Sequence, residues 1–118
     1  YDTEVHDMIG DVKDKKCIII DDLIDTGSRI SSSTKSVLAA GAKKVYVAAT
    51  HALLSKNATE VLNELPIEQI VVTDTIKHKR YPDRMVRISV DQLLARGIDY
   101  VYNDRSIPQI FDEQNRLK

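Results

Sequence analysis

Between positions 17 and 33 the chain reads CIIIDDLIDTGSRISSS. An apolar run leads into two adjacent carboxylates, Asp21 and Asp22, and a third, Asp25, precedes Thr26, Gly27, Ser28 and Arg29. These residue types can answer two chemical demands. A glycine-containing turn that opens a helix presents backbone N–H groups without intrahelical partners, an arrangement suited to a phosphate. Thr26 and Ser28 add hydroxyls, and Gly27 permits close backbone approach or a positive φ. Neighbouring carboxylates accept hydrogen bonds from sugar hydroxyls or hold Mg²⁺, a hard cation that takes oxygen ligands. A phosphorylated sugar makes both demands in one small molecule. The plainer alternative is that Asp25 only caps the helix while Asp21 and Asp22 face solvent.

Such a turn needs a strand before it and a helix after it. Three short β-branched runs, at 17–20, 45–49 and 70–73, are apolar throughout, as in parallel strands covered on both faces. Between the first two, Ile30, Thr34, Val37 and Leu38 form one helical stripe, and Gly41 is a natural C-terminal stop. Ser55 or Asn57 can cap a second helix running to about Leu65, with Pro66 ending it. Alternating strands and helices predict an α/β fold, a mostly parallel sheet flanked by helices in three layers, with right-handed crossovers. Ligands of open α/β sheets bind beyond the carboxyl ends of the strands, and Asp21 and Asp22 stand at such an end. Further on, KHKRYPDR reads as a hydrated loop, 85–88 as a strand and 107–111 as a last short strand. Between these two strands, Asp91 caps a helix carrying Leu93, Leu94, Ile98, Val101 and Tyr102. Residues 4–9 and 16–20 flank a charged turn and pair as a hairpin.

A length of 118 residues predicts one domain, and 42% apolar with 30% charged residues predicts a globular core. A formal net charge of −1 argues against a broad nucleic-acid or membrane-surface footprint. Cys17 is the single cysteine, so no intrachain disulfide forms, and its place at the head of an apolar run predicts a small buried hydrophobe. No apolar run reaches the roughly 18 residues of a membrane span and no signal peptide is evident, which makes a cytoplasmic setting the default. The chain opens without Met and in mid-pattern, as a fragment of a longer protein would. His51 reads as a structural, hydrogen-bonding histidine at a strand end, and His6 and His78 as solvated. No spacing suggests zinc. Lys77, Lys79, Arg80, Arg84 and Arg87 read as a hydrated charge cluster.

The stretch CIIIDDLIDTGSRI resembles the PRPP-binding motif of type I phosphoribosyltransferase-fold proteins. The segments AAGAKKVYVAATHALLSKNATEVL, IEQIVVTDTI, ISVDQLLARGI and SIPQIFD follow in the order and spacing of one branch of that fold, the ribose-phosphate diphosphokinases or PRPP synthetases. The likeness runs from about Glu4 to Asp112. It implies transfer of the β,γ-diphosphoryl group of ATP to O1 of ribose 5-phosphate, with Mg²⁺, giving PRPP and AMP. Carried over, Asp21 and Asp22 meet ribose hydroxyls or the metal, while Asp25, Thr26, Gly27, Ser28 and Arg29 wrap the 5-phosphate. The resemblance covers most of the family's C-terminal domain. It implies as partners an N-terminal domain carrying the catalytic histidine, and assembly into homo-oligomers, dimers or hexamers. No catalytic residue is expected within this stretch.

Two departures stand out. The family loop commonly reads Asp-Thr-Ala/Cys-Gly-Thr, whereas here the glycine comes one place earlier and Arg29 replaces the final Thr. Ser106 and Phe111 match a closing segment near an effector site, but Pro108 and Gln109 do not. A non-catalytic, synthetase-associated subunit is therefore the first rival reading, and a phosphoribosyltransferase the second. A phospho-accepting receiver domain, with Asp74 as acceptor, is the third.

Overall fold

In the computed structural model, which describes residues 10–115, the chain runs β1 (Lys16–Ile24), α1 (Ser28–Ala39), β2 (Lys44–Ala52), α2 (Ala58–Glu64), β3 (Gln69–Thr73), β4 (Met85–Ile88), α3 (Asp91–Tyr102) and α4 (Pro108–Asn115). The four strands form one sheet in the order β1-β2-β3-β4, and every pair is parallel. This is the α/β class expected from the alternation of apolar runs and helical stripes. The chain divides after Ile88 into two compact units, one holding the sheet with α1 and α2, the other holding α3 and α4. The proposed hairpin partner at 4–9 and His6 lie outside the described residues.

The core of the first unit lies on one face of the sheet. Register places Ile19 opposite Val47, Val47 opposite Ile70, and Ile70 opposite Met85. Ile30 of α1 and Leu62 of α2 close over this row, with Ile24 and Val72 buried beside them. Each fully buried side chain of this size contributes about 1.5–3 kcal/mol relative to exposure.

The opposite face corrects the expectation of strands covered on both sides. Ile18 is 65% exposed, Ile20 79%, Val86 42% and Ile88 56%. The chain steps across the sheet in one direction, and right-handed crossovers put both α1 and α2 on the same side. Cys17 is half-buried rather than buried; among the described strands β1 stands at the edge of the sheet.

Helix ends follow local chemistry. Gly27 takes φ 86° as the residue before α1, and Gly41 takes φ 98° just past its end, so the C-terminal stop lies where the glycine predicted it. The Gly41 and Ala42 amides donate back to Leu38 and Val37 carbonyls. α2 begins after Asn57, whose side chain makes no cap bond; the Ser55 carbonyl accepts from the Ala58 amide instead. Val90, not Asp91, precedes α3, and the Asp91 carboxylate accepts from the neighbouring Gln92 amide at 2.6 Å.

The predicted strand at 107–111 is helical. Pro108 occupies the first position of α4, where a missing N–H costs nothing. Ile107, Ile110 and Phe111 have the i, i+3, i+4 spacing of a helix face, and Ile110 is 2% exposed. Within the same unit the Arg105 guanidinium lies 4.0 Å above the buried Tyr100 ring.

Thr34 is fully buried on α1 and its Oγ1 has no hydrogen-bond partner. A buried hydroxyl without a partner carries a desolvation penalty of about 1–3 kcal/mol. Thr34→Val keeps the shape and removes the polar atom. We expect it to raise unfolding free energy by roughly 1 kcal/mol in urea denaturation with an unchanged m-value.

Candidate functional site

β1 continues past its apolar run to Ile24, so Asp21 and Asp22 lie within the strand near its carboxyl end. Adjacent strand residues point to opposite faces. Asp21 follows Ile19 toward the helix-covered side, where its side chain is 15% exposed. Asp22 follows Ile20 onto the open side and is exposed. The two carboxylates therefore do not form one acidic pair.

Asp21 is held from both ends. Its Oδ1 accepts the Asp22 amide at 2.8 Å, and its Oδ2 accepts from Arg29 Nη1 at 3.4 Å. Partial burial pushes the Asp21 carboxyl up, but the hydrogen bonds from Asp22 and the Arg29 guanidinium outweigh it and hold the group below its usual range. Arg29 itself is 67% exposed, so this pair is only partly screened from water.

The turn that follows is built around Gly27. The Ile24 carbonyl accepts from the Leu53 and Leu54 amides, and the Asp25 carbonyl accepts from Ser55 N at 2.9 Å, so the chain beyond β2 buttresses the turn. A Cβ on Gly27 would stand 3.4 Å from Val61 Cγ1 of α2. Thr26 Oγ1 donates to Ser28 Oγ at 3.1 Å, and the Ser28 amide reaches Thr26 Oγ1 only at 3.4 Å. The N-cap Gly27 has no side chain to offer, the long Thr26 contact is the one side-chain hydrogen bond to an opening amide among the described residues, and the first turn of α1 contains no acidic residue. The opening amides of α1 thus meet no competing carboxylate, and Arg29 adds positive charge beside them.

The structure brings Asp25, Thr26, Gly27, Ser28 and Arg29 into one turn, draws Asp21 to Arg29 behind it, and leaves Asp22 on the other face. Beside Asp21, the open face holds a trough of about 260 Å³ lined by Ile20, Ala48, Thr50, Val71, Thr73 and Ile88. Small residues on the two central strands form its floor between two isoleucines. At the same sheet end, His51 Nδ1 lies 2.7 Å from Thr75 Oγ1, and Thr73 Oγ1 donates to the Thr50 carbonyl at 2.5 Å. His51 is thus a hydrogen-bonded histidine, as its position suggested. The two threonines beyond it were not singled out, although VVTDT carried them in plain view.

His78 corrects the expectation of a solvated residue. Its Nε2 lies 2.6 Å from the Ala52 carbonyl, which can only accept, so Nε2 carries a proton. Its backbone amide donates to Tyr81 Oη, and the two rings meet edge-on. Among the described residues no group of three His, Cys, Asp or Glu could cage a metal. Asp22 on its own fits Mg²⁺ only as one oxygen donor to an ion that keeps waters and substrate oxygens, the habit of this cation. No described helix is long and apolar enough to cross a membrane.

Residues 4–112 match the family model described as phosphoribosyl synthetase-associated domain. The chain belongs to this family. Ribose-phosphate pyrophosphokinase 1 of Listeria monocytogenes serovar 1/2a is 40% identical over 111 residues, covering 92% of this chain and 35% of that protein. The ribose-phosphate pyrophosphokinase of Chlorobaculum tepidum is 34% identical over 113 residues, covering 95% and 35%. The crystal structure of phosphoribosylpyrophosphate synthetase from Mycobacterium smegmatis superposes with a TM-score of 0.75 at 39% identity, over 81% of this chain and 33% of that one. The chain spans about a third of the length of the relatives it matches. Membership in this synthetase family displaces the receiver-domain reading. Asp74 lies just past β3, its amide donating to the Ile88 carbonyl.

Gly27→Ala forces a side chain into left-handed backbone and against Val61. A cost of roughly 1–2 kcal/mol is expected in urea unfolding, from the φ alone. Arg29→Ala removes one of the contacts that lower the Asp21 pKa, so the Asp21 carboxyl should titrate at higher pH in a carbon-detected NMR titration. A depressed carboxylate pKa stabilises the fold above its unfolded value, near 3.9, and that stability is lost as pH falls through the folded value. The wild-type advantage over Arg29→Ala should therefore vanish under acid conditions and be full near neutrality.

Proposed function

We propose that this chain provides the ribose 5-phosphate-binding loop of a ribose-phosphate diphosphokinase, the enzyme that makes PRPP and AMP from ATP and ribose 5-phosphate. The observation that carries this reading is the Gly27 turn. Its left-handed backbone opens α1 with no acidic residue in the first turn and only a long Thr26 hydroxyl contact to the Ser28 amide, directly after the carboxyl end of β1. The amides of that turn and Arg29 suit the dianionic 5-phosphate, with the Thr26 and Ser28 hydroxyls as further donors. Asp22, on the open face, suits the ribose hydroxyls and one coordination position of Mg²⁺. Asp21 acts from behind, as the partner of Arg29. Asp25 contributes through its carboxylate at the rim of the turn. In this proposal the chemical step draws on groups of a further domain, and ATP and a homo-oligomeric assembly belong to the same reading.

One observation favours a second reading, a synthetase-associated subunit without activity of its own. Arg29 replaces a small hydroxyl residue and contacts Asp21, which ties up both a cation and a carboxylate that a working loop would turn to the ligand.

Titration of ribose 5-phosphate into the chain, followed by amide NMR, distinguishes these. Saturable shifts centred on Thr26–Arg29 support the loop assignment, and Asp25→Ala should weaken that binding about tenfold without altering the rest of the spectrum. Shifts absent from the turn at millimolar sugar phosphate would refute it. Incubation with ATP, Mg²⁺ and ribose 5-phosphate should release no AMP from this chain by itself.

A further inference from the structure

The segment read from sequence as a hydrated basic loop is anchored. Arg84, immediately before β4, turns its guanidinium back onto the exit of α2. Its Nη1 donates to the Ile67 carbonyl at 2.5 Å, and its Nη2 to the Leu65 carbonyl at 2.8 Å and the Asn63 carbonyl at 3.1 Å. The Asp83 amide donates to Asn63 Oδ1 at 2.8 Å. α2 has seven residues and no basic side chain in its last turn, so its terminal carbonyls take their charge-assisted donors from this loop. A second strut, Arg80 to Glu60 at 2.7 Å, joins two largely exposed side chains and is worth little.

The other side of α2 meets the anion turn. Val61 and Leu62 form the wall against which Gly27 lies, at 3.4 and 3.6 Å from where a Cβ would stand. The residue that starts the approach to α2, Ser55, holds the Asp25 carbonyl. A helix this short has little stability of its own and takes its position from what grips its ends.

From these contacts we infer that Arg84 is a positioning residue for the Gly27 turn: by clamping three carbonyls at the exit of α2, it fixes the Val61–Leu62 wall on which the phosphate-binding amides rest. The inference builds on the reading of that turn as the ribose 5-phosphate site. It assigns a role in substrate affinity to a side chain that touches no substrate.

The test compares the wild-type chain with Arg84→Ala and with Arg80→Ala, below the unfolding transition of all three. Ribose 5-phosphate is titrated by amide NMR. Arg84→Ala should weaken binding about tenfold, with the free-state Gly27 and Ser28 amide signals displaced while those of β2 stay in place. Arg80→Ala should change affinity less than twofold. Guanidinium at millimolar concentration should restore much of the lost affinity in Arg84→Ala and leave wild type unaffected, a response that general loosening of the fold would not give. Should Arg84→Ala fail to fold, Arg84→Lys is read in the same way, because an ammonium reaches fewer of the three carbonyls. Unchanged affinity and unmoved Gly27 signals in the variant overturn the inference. Absence of sugar-phosphate binding in the wild type instead overturns the reading of the turn, and displaced Gly27 signals in the free variant would still uphold the mechanical link.

Discussion

The site rests on one backbone constraint: a single residue with φ 86° converts the end of a strand into the start of a helix. Only glycine takes that conformation without strain while lying against Val61. The consequences run in both directions along the chain. Upstream, β1 can remain a strand through both aspartates. Downstream, α1 begins at Ser28, whose amide makes only a long contact with the Thr26 hydroxyl, and its first turn carries no acidic residue. The sheet supplies a rigid base for this turn, since β1 is paired with β2 along nearly its whole length.

The paleness of the net charge hides a sharp local division. Asp21 and Asp22 are neighbours in sequence, yet the pleat assigns them to different environments. Asp21 answers to Arg29 and to its own neighbour's amide, and its pKa is lowered. Asp22 has the open face. An adjacent acidic pair at a strand end thus separates into one carboxylate that pairs with Arg29 and one that is exposed to solvent. This separation leaves Arg29 beside one carboxylate and the other exposed.

Much of the fold was legible because its signals are local. The apolar runs at 17–20, 45–49 and 70–73 all became strands, and Gly27 and Gly41 both took the positive φ that their positions implied. The strand ends were less legible: Asp21, Asp22 and His51 are poor advertisements for a strand, and pairing with the neighbouring strand overrides their weak propensity. Ile107–Phe111 was misread because β-branched residues suggested extension, whereas their spacing and Pro108 favoured a helix. The gripping loop was invisible for a different reason. Arg84 finds its carbonyls 17 to 21 positions away, and His78 finds Ala52 26 positions away. No reading of neighbouring residues reports such a partnership, and a run of lysines and arginines looks the same whether it is hydrated or clamped.

The bare side of the sheet has a topological consequence. Every step from β1 to β4 moves across the sheet in one sense, which is why α1 and α2 share a side. By the same handedness, strands added on the side of β1 away from β2 and progressing outward would place their crossover helices over Ile18 and Ile20. Such an extension would make β1 the seam from which two oppositely winding halves diverge. The carboxyl tip of that seam, occupied by Asp22 and the Gly27 turn, is where a doubly wound sheet opens a crevice.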